Sequence, residues 1–229
     1  MKKIIFLQIF VVVALLGNDH KLSVTLKGTF TTSTRFLYNI DNPNVYSASR
    51  TMTSNFGYGA DVRWNILWDR FSIGFSTEKV SALKTTPVIY PQFDYLRVPY
   101  EEGFDLLALE LSGYYLVPIS SEHLKFYLGG GFGTYDGKRS FSIAQANAET
   151  ISSKSYIGIH VMTGIDYQVL SRVGIRFEVK FRDPHFDVTT KFDQQSVNYL
   201  GYQIQLPSEE TVKVNLFGVN YVGGLVISL

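Results

Sequence analysis

The sequence predicts an all-β protein: one closed, antiparallel, up-and-down barrel of about eight strands that crosses a membrane, with short turns at one rim and long loops at the other. Three observations predict it. From 155 to 182 the chain alternates by residue, with Ile175, Phe177, Val179 and Phe181 on one face and Arg176, Glu178, Lys180 and Arg182 on the other. The connections between such segments alternate strictly between short and long, as they do when every second one falls on the same rim. Aromatic residues reach 15% while charged residues fall to 18%, a balance that suits lipid-facing walls with interfacial girdles.

The alternating hairpin alone fits two environments. In a soluble sandwich its apolar face is core and its charged face meets water. In a membrane barrel the apolar face meets lipid and the charges fill the lumen. The sorting of loops by length decides for lipid, because Greek-key crossings give no reason for it.

Residues 1–20 read as a secretory signal peptide, with Lys2 and Lys3 ahead of an apolar run from Ile4 to Leu16. That run is shorter than the roughly 20 residues a spanning helix needs. A membrane anchor and a buried helix are the alternatives. The barrel then occupies residues 21–229.

Strand one alternates from Leu22 through Phe30, placing Lys27, and by extension Arg35, on the inner face. Residues 39–54 form a polar loop. Strand two, about Phe56 to Ile66, sets Tyr58, Val62 and Trp64 against Asp61 and Arg63, and Trp68-Asp69-Arg70 turns the chain. Strand three runs from Phe71 to about Thr77. A second loop, 80–103, contains Pro87, Pro91 and Pro99, which argue against a central strand. Strand four, 104–117, sets Leu107, Leu109 and Leu111 against Glu110, and strand five, 124–135, carries Lys125 inward. A third polar loop covers 136–154. Strands six and seven form the hairpin already described, with His160 and Asp166 facing inward. A fourth loop, 183–211, holds two stretches, 185–192 and 197–206, able to extend the sheet beyond the membrane. Strand eight covers about 213–229.

Two aromatic girdles are expected. Trp64, Trp68, Phe71, Tyr115, Phe126 and Tyr167 lie near the short turns; Phe36, Tyr38, Phe56, Phe104, Tyr156 and Phe181 lie near the long loops.

The chain resembles the small eight-stranded outer-membrane barrels of the OmpA transmembrane-domain, OmpX and OmpW type. The resemblance rests on Phe126-Tyr127-Leu128-Gly129-Gly130-Gly131-Phe132-Gly133 and on the terminal Tyr221-Val222-Gly223-Gly224-Leu225-Val226-Ile227-Ser228-Leu229. It implies a bacterial outer-membrane location with short periplasmic turns, and a C-terminal strand read by the barrel-insertion machinery. The chain ends in Leu229, where such barrels usually end in Phe.

The candidate functional residues are a lumen charge network of Lys27, Arg35, Asp61, Arg63, Glu110, Lys125, Asp166, Arg176, Glu178, Lys180 and Arg182, with Glu78 and His160 beside it. Charges inside an eight-stranded barrel must pair, since an isolated buried charge is expensive. The network is either a salt-bridged plug or a narrow path with Arg176, Glu178 and Glu110 exchanging partners. The glycine run at 129–133 lacks the Lys-Ser/Thr of a phosphate loop and sits within a strand, where it makes room for lumen side chains. His185 between Asp183 and Asp187, with serines on the preceding loop, is the basis for the alternative of a lipid-modifying enzyme. A lipocalin-like soluble carrier is the other alternative. No cofactor or metal is expected, and a net charge of +1 argues against nucleic acid. Tyr90, Phe93, Tyr95, Leu96 and Tyr100 either offer a surface to an extracellular ligand or pack together to order their loop.

Overall fold

Alternation on one strand shows how the molecule is built. In strand four the side chains of Leu107, Leu109 and Leu111 point out of the wall and those of Glu110 and Ser112 point in. Two turns of the pleat higher, Asp105 points out and Leu106 and Phe104 point in. The strand has passed from one solvent to another, and its polarity inverts with it. In lipid the apolar side chains face outward because nothing drives them inside; in water the apolar side must be buried.

The computed structural model describes residues 22–38, 49–67, 70–121 and 123–229, so the expected signal peptide, Trp68 and Asp69, and most of the first polar loop lie outside the described residues. The strands are β1 (Leu22–Tyr38), β2 (Ser49–Leu67), β3 (Phe71–Tyr90), β4 (Leu96–Leu116), β5 (Leu124–Ile143), β6 (Ala146–Leu170), β7 (Val173–Arg182), β8 (His185–Phe192), β9 (Ser196–Tyr199), β10 (Tyr202–Gln205), β11 (Glu209–Asn215) and β12 (Gly218–Ser228). From β1 to β6 each pairs with the next, antiparallel. Both β7 and β8 pair with β6, while β12 and β11 both pair with β1. Since β7 also pairs with β12 and β8 with β11, each couple is the lower and upper half of one stave. The ring therefore closes with eight staves, as the loop sorting predicts. Strands β9 and β10 form a separate hairpin at the outer end.

The staves are much longer than expected. Strands β3, β4, β5 and β6 run 20, 21, 20 and 25 residues, about twice the 9–11 that cross a bilayer. The second and third long loops are thus mostly sheet. Pro87 pairs directly with Pro99 in the β3–β4 ladder. Pro87 is tolerated because, among the described residues, β3 has no partner on its β2 side beyond Ser81, so no ladder donor is lost there. Pro99 sits at the end of β5, where its carbonyl accepts a bond from the Ala144 amide at 2.9 Å. The third loop shrinks to the turn Ala144–Gln145, with Ala144 at φ 51°. The predicted extension at 185–192 is β8, and 197–206 supplies β9 and β10. Strand eight is interrupted at Leu216–Phe217 and continues upward to Glu209.

Near the outer boundary of the lipid band, several staves shift by one residue. The inward set on β1 passes from Thr25, Lys27, Thr29 and Thr31 to Thr34 and Phe36, and the pairing with the neighbouring stave slips between Thr31↔Asn220 and Arg35↔Asn215. On β2 the same change occurs at Ser54, whose φ is 65°. This overturns two expectations. Arg35 lies exposed on the outer wall instead of in the lumen, because the bulge reverses the alternation that placed it inside. Phe36, and on β4 Phe104, are buried within the lumen, and Tyr38 turns inward to Glu102, so these three belong to no girdle. Trp64, Phe71 and Tyr167 at the lower rim, and Phe56 and Phe181 at the upper, do face outward.

Candidate functional site: the filled lumen

The inner charges form two joined clusters. In the lower one Arg176, on β7, makes a two-point contact with Asp166, on β6, both bonds 2.7 Å, and reaches Asp61 on β2 at 3.0 Å. Arg63 holds Asp61 at 2.8 Å and pairs with Glu178, which also accepts a 2.7 Å bond from the Tyr127 hydroxyl. The Arg63 guanidinium lies 3.8 Å above the Tyr114 ring. One layer up, Glu110 on β4 receives Lys180 at 2.6 Å, the Tyr135 hydroxyl at 3.0 Å and Arg182 at 3.3 Å. Arg182 also binds Glu78 at 2.6 Å, and Lys27 stands 4.0 Å from Glu78.

Across the two clusters five cations (Arg63, Arg176, Lys27, Lys180, Arg182) meet five anions (Asp61, Asp166, Glu178, Glu78, Glu110). The lower cluster carries one extra negative charge and the upper one extra positive charge, so neutrality requires both. Nearly all of these side chains are buried, which makes complete pairing the condition for folding. The exchange imagined between Arg176, Glu178 and Glu110 is not set up by the geometry: Arg176 and Glu178 sit below, Glu110 above, each with its own partners. Lys125 differs from expectation. It is exposed at the lower mouth, beside a vestibule of about 100 Å3 also lined by Arg63, Arg176 and Asp166, because it lies beyond the end of the packed interior. His160 is buried in the lumen with its Nε2 2.8 Å from Ser112 Oγ. The glycines beside these groups clear space: a Cβ on Gly129 would meet the Tyr114 ring at 2.8 Å, and one on Gly133 would meet Glu110 at the same distance.

Above the charges the lumen is apolar. Phe36, Met52, Phe104, Leu106, Tyr135, Phe186 and Leu216 meet in a septum across the barrel, each at most 2% exposed. Higher still lies a second ionic cluster, in which Glu102 accepts Arg139 at 2.6 and 2.8 Å, the Tyr38 hydroxyl and the Tyr100 hydroxyl, while Arg139 also binds Glu210 at 2.7 Å. Burial, reinforced by the Glu102 carboxylate, pushes both phenols above their usual range and keeps them as donors. Burial disfavours charge on Arg139, but the Glu102 and Glu210 carboxylates outweigh it and raise its pKa. An outer apolar core of Val98, Phe141, Ile143, Phe192, Val197 and Ile204 closes the far end. Beyond the extension read at 185–192 and 197–206 this outer half was not anticipated, although the alternation of Tyr135, Arg139, Phe141 and Ile143 with Asp136, Lys138, Ser140 and Ser142 signals it. Of the second-loop aromatics, Phe93 packs on Tyr90 and Tyr202, and Tyr100 on Phe141; Tyr95 is exposed.

No protein-family model matches the chain, and no curated protein matches it. Among solved structures, the outer-membrane protein OprG from Pseudomonas aeruginosa superposes with a TM-score of 0.56 at 11% identity, over 91% of this chain and 95% of that one. The fold of this chain is that of the small outer-membrane β-barrels. Neisserial surface protein A, at 13% identity and TM-score 0.48, covers 91% of this chain and 97% of its own. The attachment invasion locus protein Ail of Yersinia pestis, at 11% and 0.43 in complex with a heparin analogue, covers 89% and 97%. The outward-facing rings of Trp64, Phe71 and Tyr167 at one end and Phe56 and Phe181 at the other bracket the apolar band of the wall, and the staves continue beyond it.

Proposed function

We propose that the protein is a closed, non-enzymatic barrel that anchors a rigid folded cap at the outer face of a bacterial outer membrane. The observation that carries this reading is that the axis is filled at four successive levels: ion pairs, apolar septum, ion pairs, apolar core. A septum of Phe36, Phe104, Leu106 and Phe186 offers a permeating ion no oxygen to replace its water shell. The vestibule at the lower mouth admits small polar solutes without passing them on. The cap presents exposed Tyr95 and Leu200 at its hairpin tips as the surface an extracellular ligand meets. Strand β12 zips between β7 and β1, which suits the role of the segment handed to the insertion machinery. Against an enzymatic reading, the His185 ring packs at a tilt on Tyr156, 4.6 Å between centres, and its side chain bonds no serine among the described residues.

Planar-bilayer recording tests closure. Wild type is expected to be silent, and Arg176→Ala is expected to stay silent because the septum lies above it. Conductance in wild type that disappears in Glu178→Ala would replace this reading with the narrow-path one.

A further inference from the structure

At the boundary where the wall leaves the lipid band, three of four neighbouring staves carry cations with no carboxylate partner within 4 Å among the described residues. Lys154 on β6 and Lys213 on β11 flank Asp187 of β8 in one cross-strand row, and Arg35 on β1 lies two residues closer to the lipid than Leu37, the partner of Lys213. Neither ammonium turns to Asp187. Both stand over the Tyr156 ring, at 5.1 and 5.8 Å from its centre, while Arg35 lies 4.6 Å over Phe217. One Asp187 oxygen takes the Tyr156 hydroxyl at 2.6 Å and the other is buried, so the carboxylate is turned away from the surface. Asp183 is exposed nearby, and Asp136 is held by Ser153 and Ser155. Elsewhere at this height the pairing is local: Lys79 has Asp105 at 3.7 Å.

We propose that Lys154, Lys213 and Arg35 form a binding site for the phosphate of an outer-leaflet lipid. The site rests on the barrel being embedded as argued above. Its occupant follows from its place. Directly below it Ile157 and Ile159 are the most exposed apolar side chains of the lipid band, at 73% and 74%, so acyl chains seated there carry their headgroup to the cations. Aromatic rings beneath the ammonium groups hold them in position without neutralising them. Each cation near a charged headgroup contributes about a fivefold gain in affinity, so three together give about a hundredfold.

The test uses the full chain in zwitterionic vesicles doped with a phosphorylated glycolipid, its dephosphorylated form, or neither with inorganic phosphate added. Retained glycolipid is counted by native mass spectrometry after detergent extraction. Wild type is expected to retain the phosphorylated form alone, and Lys154→Gln/Lys213→Gln/Arg35→Gln to lose affinity about a hundredfold, with Lys79→Gln unchanged. Equal retention by the triple variant, equal retention of the dephosphorylated lipid, or competition by inorganic phosphate at matching concentration would overturn it. Heat-modifiable migration of the same samples reports barrel formation separately, so a failure to insert is told apart from a failure to bind.

Discussion

Glu110→Ala is expected to destabilise the barrel by about 3–5 kcal/mol, because it removes the single acceptor shared by Lys180, Arg182 and Tyr135 inside the lipid band. Lys180 would be left with no carboxylate and Arg182 with Glu78 alone, and neither can reach water past the septum above or the Arg63 layer below. Urea unfolding in lipid vesicles measures the loss. Removing a cation with the anion, as in Glu110→Gln/Lys180→Met, is expected to recover much of it, since the penalty lies in the orphaned charge more than in the lost contact. Equal destabilisation by the single and double variants would show that packing, and not charge pairing, fixes this layer.

Arg139→Met is expected to act in a different place at similar size. It strips Glu102, which is fully buried, of its chief partner and frees Glu210 on β11, three staves away. The expected cost of about 3–5 kcal/mol is local to the cap. Amide exchange should accelerate in β5 above Gly137, in β8 and in β11, while β7 and β12 keep their protection. Uniform acceleration across both halves would mean that cap and membrane band fold as one unit, contrary to the separation the septum implies.

What could be read from the sequence divides along the same septum. In the lipid band one alternation rule holds from end to end, so the staves, the closed ring and the inward direction of Asp61, Arg63, Glu110, Arg176 and Glu178 follow from residue spacing alone. Above it the rule reverses, and polar stretches that read as loops are the wet outer faces of strands. Arg35 was misplaced by one bulge, which no composition marks. Pro87 and Pro99 misled because their harmlessness depends on an open edge and a strand end, both tertiary facts. Partner choice was beyond reach too: Arg63 meets Glu178 across 115 residues of chain, and only closure of the ring brings them together. The Glu102–Arg139–Glu210 cluster went unseen for that reason, although Arg139 stands in a clean alternating run.

The central claim is that one wall changes its solvent partway up. The chain has no cysteine, so single spin-labelled cysteines can be placed along the outer face of β4 without background. In vesicles, a label at Leu109→Cys is predicted to be relaxed by lipid-dissolved oxygen and untouched by a water-soluble nickel chelate. A label at Asp105→Cys, about 14 Å farther along the same face, is predicted to show the reverse. Nickel access at both positions, or oxygen-dominated relaxation at both, would contradict the account.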